Sequence, residues 1–197
     1  DTIVVTSAKG CTLSYQVNKS TIQFFDDYPA GRLFFGDESS KWLIGVKTPL
    51  DSITKSTLYP QAQEAIQGLS PWQAVAKLLN WVQTGFQYAY DDDVWGYDRV
   101  FFPSETLFYP NSDCEDKAIL FSTLVREVLN LDVLLLYFEN PEHLLTAVHI
   151  PVEEKPGEYV MYNNKRFAIC DPTFINAPAG KQMPCFKGVK PQVIVID

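Results

Sequence analysis

The sequence contains only two histidines, His143 and His149, and four cysteines that include no CxxC pair. Zinc sites need such residues at short, regular spacing, and a disulfide framework needs more cysteines in a chain of this length. We therefore predict no metal site and no disulfide-rich fold. A single bridge between Cys170 and Cys185 is compatible with the sequence.

Positive charge is also scarce, since 16 lysines and arginines stand against 24 acids and leave a net charge of −8. A protein that binds duplex nucleic acid needs a basic face to meet the phosphates, and anionic membranes attract basic segments. Apolar runs such as LDVLLLYF fall far short of the roughly 20 residues that cross a bilayer. We therefore predict no nucleic-acid partner and no membrane span in this chain. The first residues are DTIVV, without methionine, which is compatible with a removed signal peptide or an anchor in a parent protein.

Apolar residues make up 46% of the 197 residues and aromatic residues 14%, which is enough for one domain with a sizeable core. The part before about residue 48 contains short runs of strand type separated by turn residues. These runs are TIVVT, CTLSYQV, TIQFF, RLFFG and KWLIGV. We therefore predict a β-rich N-terminal segment over residues 1–55, accessory to the same domain.

The spacing of the apolar residues changes to that of a helix from about residue 60. Ser70 is typical of an N-cap with Pro71 at the first helical position, and residues 114–129 predict a second helix. Runs of strand type follow: DVLLLYF, HLLTAVHIPV, YVMY and RFAICD. This order indicates an α+β fold with an antiparallel sheet, whose core covers residues 56–197.

Cys114 lies at the predicted start of the second helix, with Ser112 or Asp113 as its cap. The free backbone N–H groups of a first helical turn stabilise a thiolate and could also stabilise an oxyanion. The neighbouring acids Asp113, Glu115 and Asp116 act in the opposite direction, because negative charges raise the pKa of a thiol. A nucleophilic Cys114 therefore needs an imidazolium close by.

Both histidines lie in the predicted strand 143–152, where their even separation places them on one face about 20 Å apart. Only one of them can therefore meet a single cysteine. His143 stands at the start of the strand, beside a turn, and Asp171 ends the run RFAIC where the third group of a triad would fit. We predict Cys114, His143 and Asp171 as the catalytic residues, with His149 as the competing base.

Three segments resemble motifs of the transglutaminase-like superfamily, in the same order: SDCEDKAILFSTLVREVLNLDV, HLLTAV and CDPTF. In that family these motifs carry the nucleophilic cysteine, the histidine and the aspartate, and the matching positions here are Cys114, His143 and Asp171. The upstream pieces WVQTGFQYAYDDD and FFPSETLFY also resemble family segments, so the resemblance covers roughly residues 60–175.

The resemblance implies a papain-like core in which the nucleophile helix packs on an antiparallel sheet. It implies cysteine-dependent acyl chemistry on a peptide or protein substrate through a thioester, with hydrolysis favoured over transfer to an amine. No metal or organic cofactor is implied, and the expected location is extracytoplasmic in a bacterium, either periplasmic or at the cell surface. The alternative function is a catalytically inactive module on the same fold that binds protein or peptide.

Three further features leave alternatives open. Trp95, Gln87 and Asn111 are candidates for a side-chain oxyanion donor. The acidic run DDDVWGYD at residues 91–98 has some carboxylates at calcium-loop offsets but lacks the closing glutamate, which favours a solvated loop. The aromatic residues of 86–109 either pack this loop onto the core or line a substrate groove.

Overall fold

The computed structural model describes residues 2–8, 10–28, 38–151 and 157–196. The helices of these ranges are α1 (Lys19–Asp27), α2 (Glu38–Lys47), α3 (Ser52–Ile66), α4 (Pro71–Gly85), α5 (Asp91–Val94), α6 (Pro103–Phe108) and α7 (Cys114–Leu129), with a 3₁₀ turn at Pro184–Phe186. The strands are β1 (Thr2–Ala8), β2 (Cys11–Val17), β3 (Gln87–Tyr88), β4 (Asn111–Ser112), β5 (Val133–Glu139), β6 (Glu142–Val148), β7 (Tyr159–Tyr162), β8 (Lys165–Cys170) and β9 (Gln192–Val195).

A five-stranded sheet forms the centre of the fold, with the strand order β7-β8-β6-β5-β9 and antiparallel pairing between all neighbours. Helix α7 packs on β5 and β6, and α2, α4 and α6 cover its other sides. Because it is enclosed on every side, α7 is apolar around most of its circumference. The predicted α+β fold, with the helix of Cys114 on an antiparallel sheet, is confirmed.

The core around α7 is built from side chains that are almost completely buried. Each buried side chain of valine size or larger contributes roughly 1.5–3 kcal/mol to folding through the removal of apolar surface from water. The members that α7 supplies are Ala118, Ile119, Leu120, Phe121, Leu124 and Val125. The rigid position of α7 fixes the place of its first residue, Cys114.

The N-terminal hairpin β1–β2 packs on α3 and α4. Tyr15 connects it to the core, because its buried hydroxyl donates to the carbonyl of Leu107 at 3.0 Å and lies 2.7 Å from Thr6 Oγ1. Helix α3 includes residue 55, so it continues across the predicted boundary. Its Thr57 Oγ1 accepts a hydrogen bond from the backbone N–H of Gln16 in β2. The division of the chain at residue 55 stays a prediction.

Two predicted strands of the N-terminal segment are wrong. TIQFF belongs to α1, which begins after Asn18 because the Asn18 side chain caps the Ser20 N–H at 2.9 Å. KWLIGV belongs to α2, which packs closely on α7 at Gly45, where an added Cβ would lie 2.9 Å from Ile119. Packing on α7 therefore overrides the strand propensity of this apolar run. The predicted strand RLFFG lies outside the described residues.

The other main elements agree with the sequence. Residues 114–129 form α7 with Asp113 as the cap, and α4 begins at Pro71 with a capping box from Ser70. The pattern did not identify β9, which pairs with β5 at the sheet edge. In the described ranges, no helix combines the length and the apolar character needed to cross a membrane.

Candidate active site

The first turn of α7 is held in place by a capping box and by a strand pair. The Asp113 carboxylate accepts the Asp116 N–H at 3.4 Å, and the Asp116 carboxylate accepts the Asp113 N–H at 3.3 Å. The second oxygen of Asp116 accepts the N–H of Phe101 at 2.8 Å. Just before the helix, β4 pairs with β3, so that Tyr88 lies opposite Ser112. These contacts fix Cys114 at the helix N-terminus.

The Cys114 thiol is half-buried and donates a hydrogen bond to Glu115 Oε2 at 3.0 Å. Burial raises the pKa of this thiol well above its usual range, and the negative charges of Glu115 and Asp113 raise the pKa further. The backbone N–H of Leu144 acts in the opposite direction but does not offset them. Both the raised pKa and the hydrogen bond to Glu115 favour the thiol over the thiolate.

We expect the Glu115→Gln variant to react faster with iodoacetamide at Cys114 between pH 7 and 9. Removing the carboxylate lowers the pKa of the thiol, and below that pKa each unit of decrease gives about tenfold more thiolate. Peptide mapping after timed alkylation measures the rate at Cys114 separately from the other free cysteines. The matched control is Glu64→Gln, which neutralises an exposed acid of α3. An unchanged or slower rate in Glu115→Gln would contradict the assignment of the high pKa to this contact.

His143 and Asp171 form a buried pair. His143 is the second residue of β6, and Asp171 directly follows β8. His143 Nε2 lies 3.1 Å from Asp171 Oδ2. Phe186 of the 3₁₀ turn stacks on the imidazole, with ring planes 4° apart and centroids at 5.1 Å. Phe186 and Asp171 therefore restrict the orientation of the His143 ring, and Nδ1 is the nitrogen that does not contact Asp171.

The second oxygen of Asp171 is fully occupied by donors that follow it in the chain. Oδ1 accepts the N–H of Thr173 at 2.9 Å, the hydroxyl of Thr173 at 2.8 Å and the N–H of Phe174 at 3.3 Å. Burial alone would raise the pKa of Asp171, but the hydrogen bond and charge of His143, with the donors of Thr173, lower it below its usual range. Asp171 is therefore a carboxylate with one oxygen directed to His143.

His149 lies elsewhere. Its Nδ1 is 3.0 Å from the carbonyl of Arg166, and its ring packs against Phe167. Of the two histidines, His143 is the one that pairs with Asp171, as the sequence interpretation requires.

A cavity of about 450 Å³ opens in front of Cys114, and His143 and Leu144 also line it. The aromatic side chains of its wall are Trp42, Tyr88, Tyr90 and Tyr137. The sequence pattern had included Tyr88 and Tyr90 among the groove candidates, whereas Trp42 and Tyr137 come from distant segments and were missed. Phe86, Phe101 and Phe102 are buried in the core, in agreement with the packing alternative.

The three candidates for a side-chain oxyanion donor are not among the described residues that line this cavity. Gln87 and Asn111 form the outer pair of β3 and β4. The Arg99 guanidinium lies over the Trp95 ring, with its Cζ atom 4.3 Å from the ring centroid. The Cys114 N–H at the start of α7 stays as the backbone candidate.

The acidic run 91–98 is not a simple solvated loop, which corrects the sequence interpretation. Asp91 begins the short helix α5, is buried, and accepts the backbone N–H of Arg99. Burial raises the pKa of Asp91 to about 6. The carboxylates of Asp91, Asp113 and Glu115 each have an oxygen within 4.8 Å of the others, a spacing that a metal ion would tolerate. No sequence motif joins these three residues.

Lys117 is a further buried charge that the sequence pattern did not identify. It lies one turn after Cys114, and its ammonium donates to the carbonyl of Phe86 at 2.7 Å. Burial lowers its pKa to about 8, although the charges of Asp116 and Asp113 oppose the shift. Its contact connects α7 to the segment that enters β3.

All four cysteines are free thiols, so the bridge considered between Cys170 and Cys185 is absent. Cys170 is buried at the end of β8, whereas Cys185 is exposed in the 3₁₀ turn.

Neither the comparison with protein-family models nor the comparison with curated proteins gives a match. Among solved structures, a putative cysteine protease from Cytophaga hutchinsonii is similar, with a TM-score of 0.44 and 14% identity. The similarity covers 82% of this chain and 53% of that protein, so the chain spans about half of its length. A similarity at this level does not assign a family.

Proposed function

We propose that this chain is a cysteine-dependent hydrolase of peptides or amides, with Cys114 as nucleophile, His143 as general base and acid, and Asp171 as the orienting group. The observation that carries the proposal is the buried His143–Asp171 pair, whose histidine lines the same cavity as a cysteine at a helix N-terminus. A nucleophile, a base and a third group that orients the base are the parts that acyl transfer needs. The order and the residue types also resemble the transglutaminase-like superfamily.

In the proposed reaction, His143 Nδ1 removes the proton from the Cys114 thiol while the sulfur attacks the amide carbonyl. The new C–S bond forms a tetrahedral intermediate whose oxyanion the Cys114 N–H stabilises. When the C–N bond breaks, the imidazolium gives its proton to the leaving amine and a thioester is left. A water molecule, deprotonated by His143, then attacks the thioester and releases the acid and the thiol.

The resting hydrogen bond of the thiol goes to Glu115, so it has to be replaced by one to His143 before attack. The carboxylate of Asp171 stabilises the imidazolium that forms during this transfer. Asp171 also keeps the proton of the neutral ring on Nε2, because a carboxylate accepts and does not donate. Nδ1 is then free to act as the base.

The protonated, Glu115-bound thiol also favours a second candidate, a non-catalytic module that binds peptide in the same cavity. This alternative predicts peptide binding without turnover. The two candidates differ in the effect of replacing Cys114. The replacement abolishes turnover in an enzyme, whereas a binding module keeps its peptide binding.

The test uses a library of fluorogenic peptide amides together with mass spectrometry of acid-quenched protein. We expect the native chain to cleave members of the library and to carry an acyl adduct on Cys114, and we expect Cys114→Ala to lose at least about a thousandfold in rate. Cys185→Ala, which removes an exposed cysteine, serves as the control and should retain full activity.

Retention of cleavage by Cys114→Ala would exclude Cys114 as the nucleophile. If no member is cleaved, and native and Cys114→Ala proteins bind the same peptides equally, the binding module is the correct function. Adding a primary amine during turnover separates hydrolysis from transfer, because transfer gives the amide of that amine in place of the free acid.

A further inference from the structure

The cavity in front of Cys114 has an unusual charge composition. Six carboxylate side chains line it, together with one lysine. The lysine, Lys41, lies 3.4 Å from Asp98 and is therefore already engaged by one of the six. The carboxylates are Asp91, Asp92, Asp98, Asp113, Glu115 and Glu142.

Apart from Asp98, which pairs with Lys41, these carboxylates divide into two groups by their contacts. Asp91 and Asp113 are buried and accept backbone N–H groups, and Glu115 accepts the Cys114 thiol, so these three belong to the structure of the site. Asp92 and Glu142 are exposed. Within the described chain, Asp92 makes no hydrogen bond or ion pair, and Glu142 accepts only the Tyr137 hydroxyl at 3.3 Å. The two exposed carboxylates are available to a ligand.

Aromatic faces accompany these carboxylates. Tyr88 and Tyr90 form an edge-to-face pair with centroids 5.4 Å apart, and both rings are partly exposed to solvent. Tyr137, which contacts Glu142, packs against Trp42 on the wall of the same cavity. An aromatic ring beside a carboxylate attracts ammonium and guanidinium groups through its face.

We propose that this cavity selects peptide substrates with a lysine or arginine side chain next to the cleaved amide, and that Asp92 and Glu142 determine this preference. The inference rests on the proposed function, since it names the substrate class of the same site. A cleft lined by charge of one sign concentrates the field and raises the local concentration of ligands of opposite charge. It also disfavours acidic peptides by like-charge repulsion.

The same charges connect substrate recognition to the nucleophile. Burial raises the pKa of the Cys114 thiol, and the negative field of Glu115 and Asp113 raises it further. A cationic side chain held in the cavity offsets part of that field and favours the thiolate. A basic substrate is therefore expected to gain in the chemical step as well as in binding.

The experiment compares kcat/KM for three series of fluorogenic peptide amides that differ only in one residue beside the cleaved bond: lysine, norleucine or glutamate. We expect the lysine series to exceed the norleucine series by about tenfold or more, and the glutamate series to be the slowest. In the double variant Asp92→Asn/Glu142→Gln, the ratio of lysine to norleucine should fall towards one.

The matched control is the double variant Glu127→Gln/Asp132→Asn. It removes the same two charges from the protein, but these acids pair with Lys55 and Lys165 and do not line the cavity. This control should keep the preference of the native chain, which separates a local effect from the net charge of −8.

Equal cleavage of the three series, with turnover that depends on Cys114, would overturn the substrate class and leave the proposed function intact. Absence of turnover in all series would instead count against the proposed function itself. Loss of cleavage on adding EDTA, with recovery on adding calcium, would assign the carboxylates to a metal ion and also overturn the inference. Loss of the preference in the control variant would do the same, because the preference would then follow net charge.

Discussion

Asp171→Asn is expected to lower kcat/KM by about 10³- to 10⁴-fold without a comparable loss of stability. The reason is specific to the contacts of this side chain. Three donors from Thr173 and Phe174 converge on Oδ1, so an asparagine has to direct its oxygen to them. Its NH₂ group then faces His143 Nε2 and donates to it.

A donor at Nε2 selects the tautomer of His143 that carries its proton on Nδ1. Nδ1 can then no longer accept the proton of the Cys114 thiol, and the reaction loses its base. The opposite orientation of the amide would place its NH₂ group against the three donors. The loss of those three hydrogen bonds costs more than the single hydrogen bond to His143 would return. Exchange of one atom type is therefore enough to disable the proposed site.

Steady-state kinetics on a peptide amide cleaved by the native chain provide the measurement, with unfolding in urea as a check on stability. Asp132→Asn is the control, because this exposed carboxylate pairs with Lys165 and has no other ion pair within the described ranges. We expect less than a twofold change in the control. A loss of less than about tenfold in Asp171→Asn would show that the tautomer of His143 does not limit the reaction.

Arg99→Met is expected to lower the free energy of unfolding by about 3 to 5 kcal/mol. The Arg99 guanidinium is buried and lies 2.6 Å from Asp26 and 2.5 Å from Glu105. The Glu105 side chain is completely buried, and it also accepts the N–H of Phe102. Without the arginine this carboxylate is a buried charge that has lost its paired cation, although methionine keeps most of the apolar stem.

Urea unfolding at neutral pH measures this effect. The matched control is Lys165→Met, which breaks an exposed ion pair with Asp132 and should cost between 0 and about 1 kcal/mol. In the double variant Arg99→Met/Glu105→Gln the uncompensated charge is gone while the bond from Phe102 can persist, so it should be more stable than Arg99→Met alone. Equal losses in Arg99→Met and Lys165→Met would contradict the structural role of Arg99.

The elements that the sequence predicted well are those whose signals lie within a few neighbouring residues. Ser70 followed by Pro71 starts α4, and residues 114–129 form α7 with the cap next to Cys114. Capping and helical periodicity depend on contacts three or four positions apart, so they can be read from the chain itself. The order of Cys114, His143 and Asp171 is likewise a property of the sequence.

The errors have the opposite origin. An apolar run such as KWLIGV suits a strand or a buried helix, and only its packing on α7 at Gly45 decides for the helix. Trp42, in that same helix, reaches the cavity wall although it lies 72 positions before Cys114. Contacts over such distances leave no periodic trace in the sequence.

The sequence by itself determined the α+β plan, the start of the helix that carries Cys114 and the set of residue types on which a cysteine hydrolase could be built. Only the tertiary structure decided that His143 rather than His149 meets Asp171, that Glu115 holds the thiol, and that carboxylates gather around it. The physical reason is that local backbone preferences act along the chain, whereas the burial and the field at a side chain depend on segments that meet only when the chain folds.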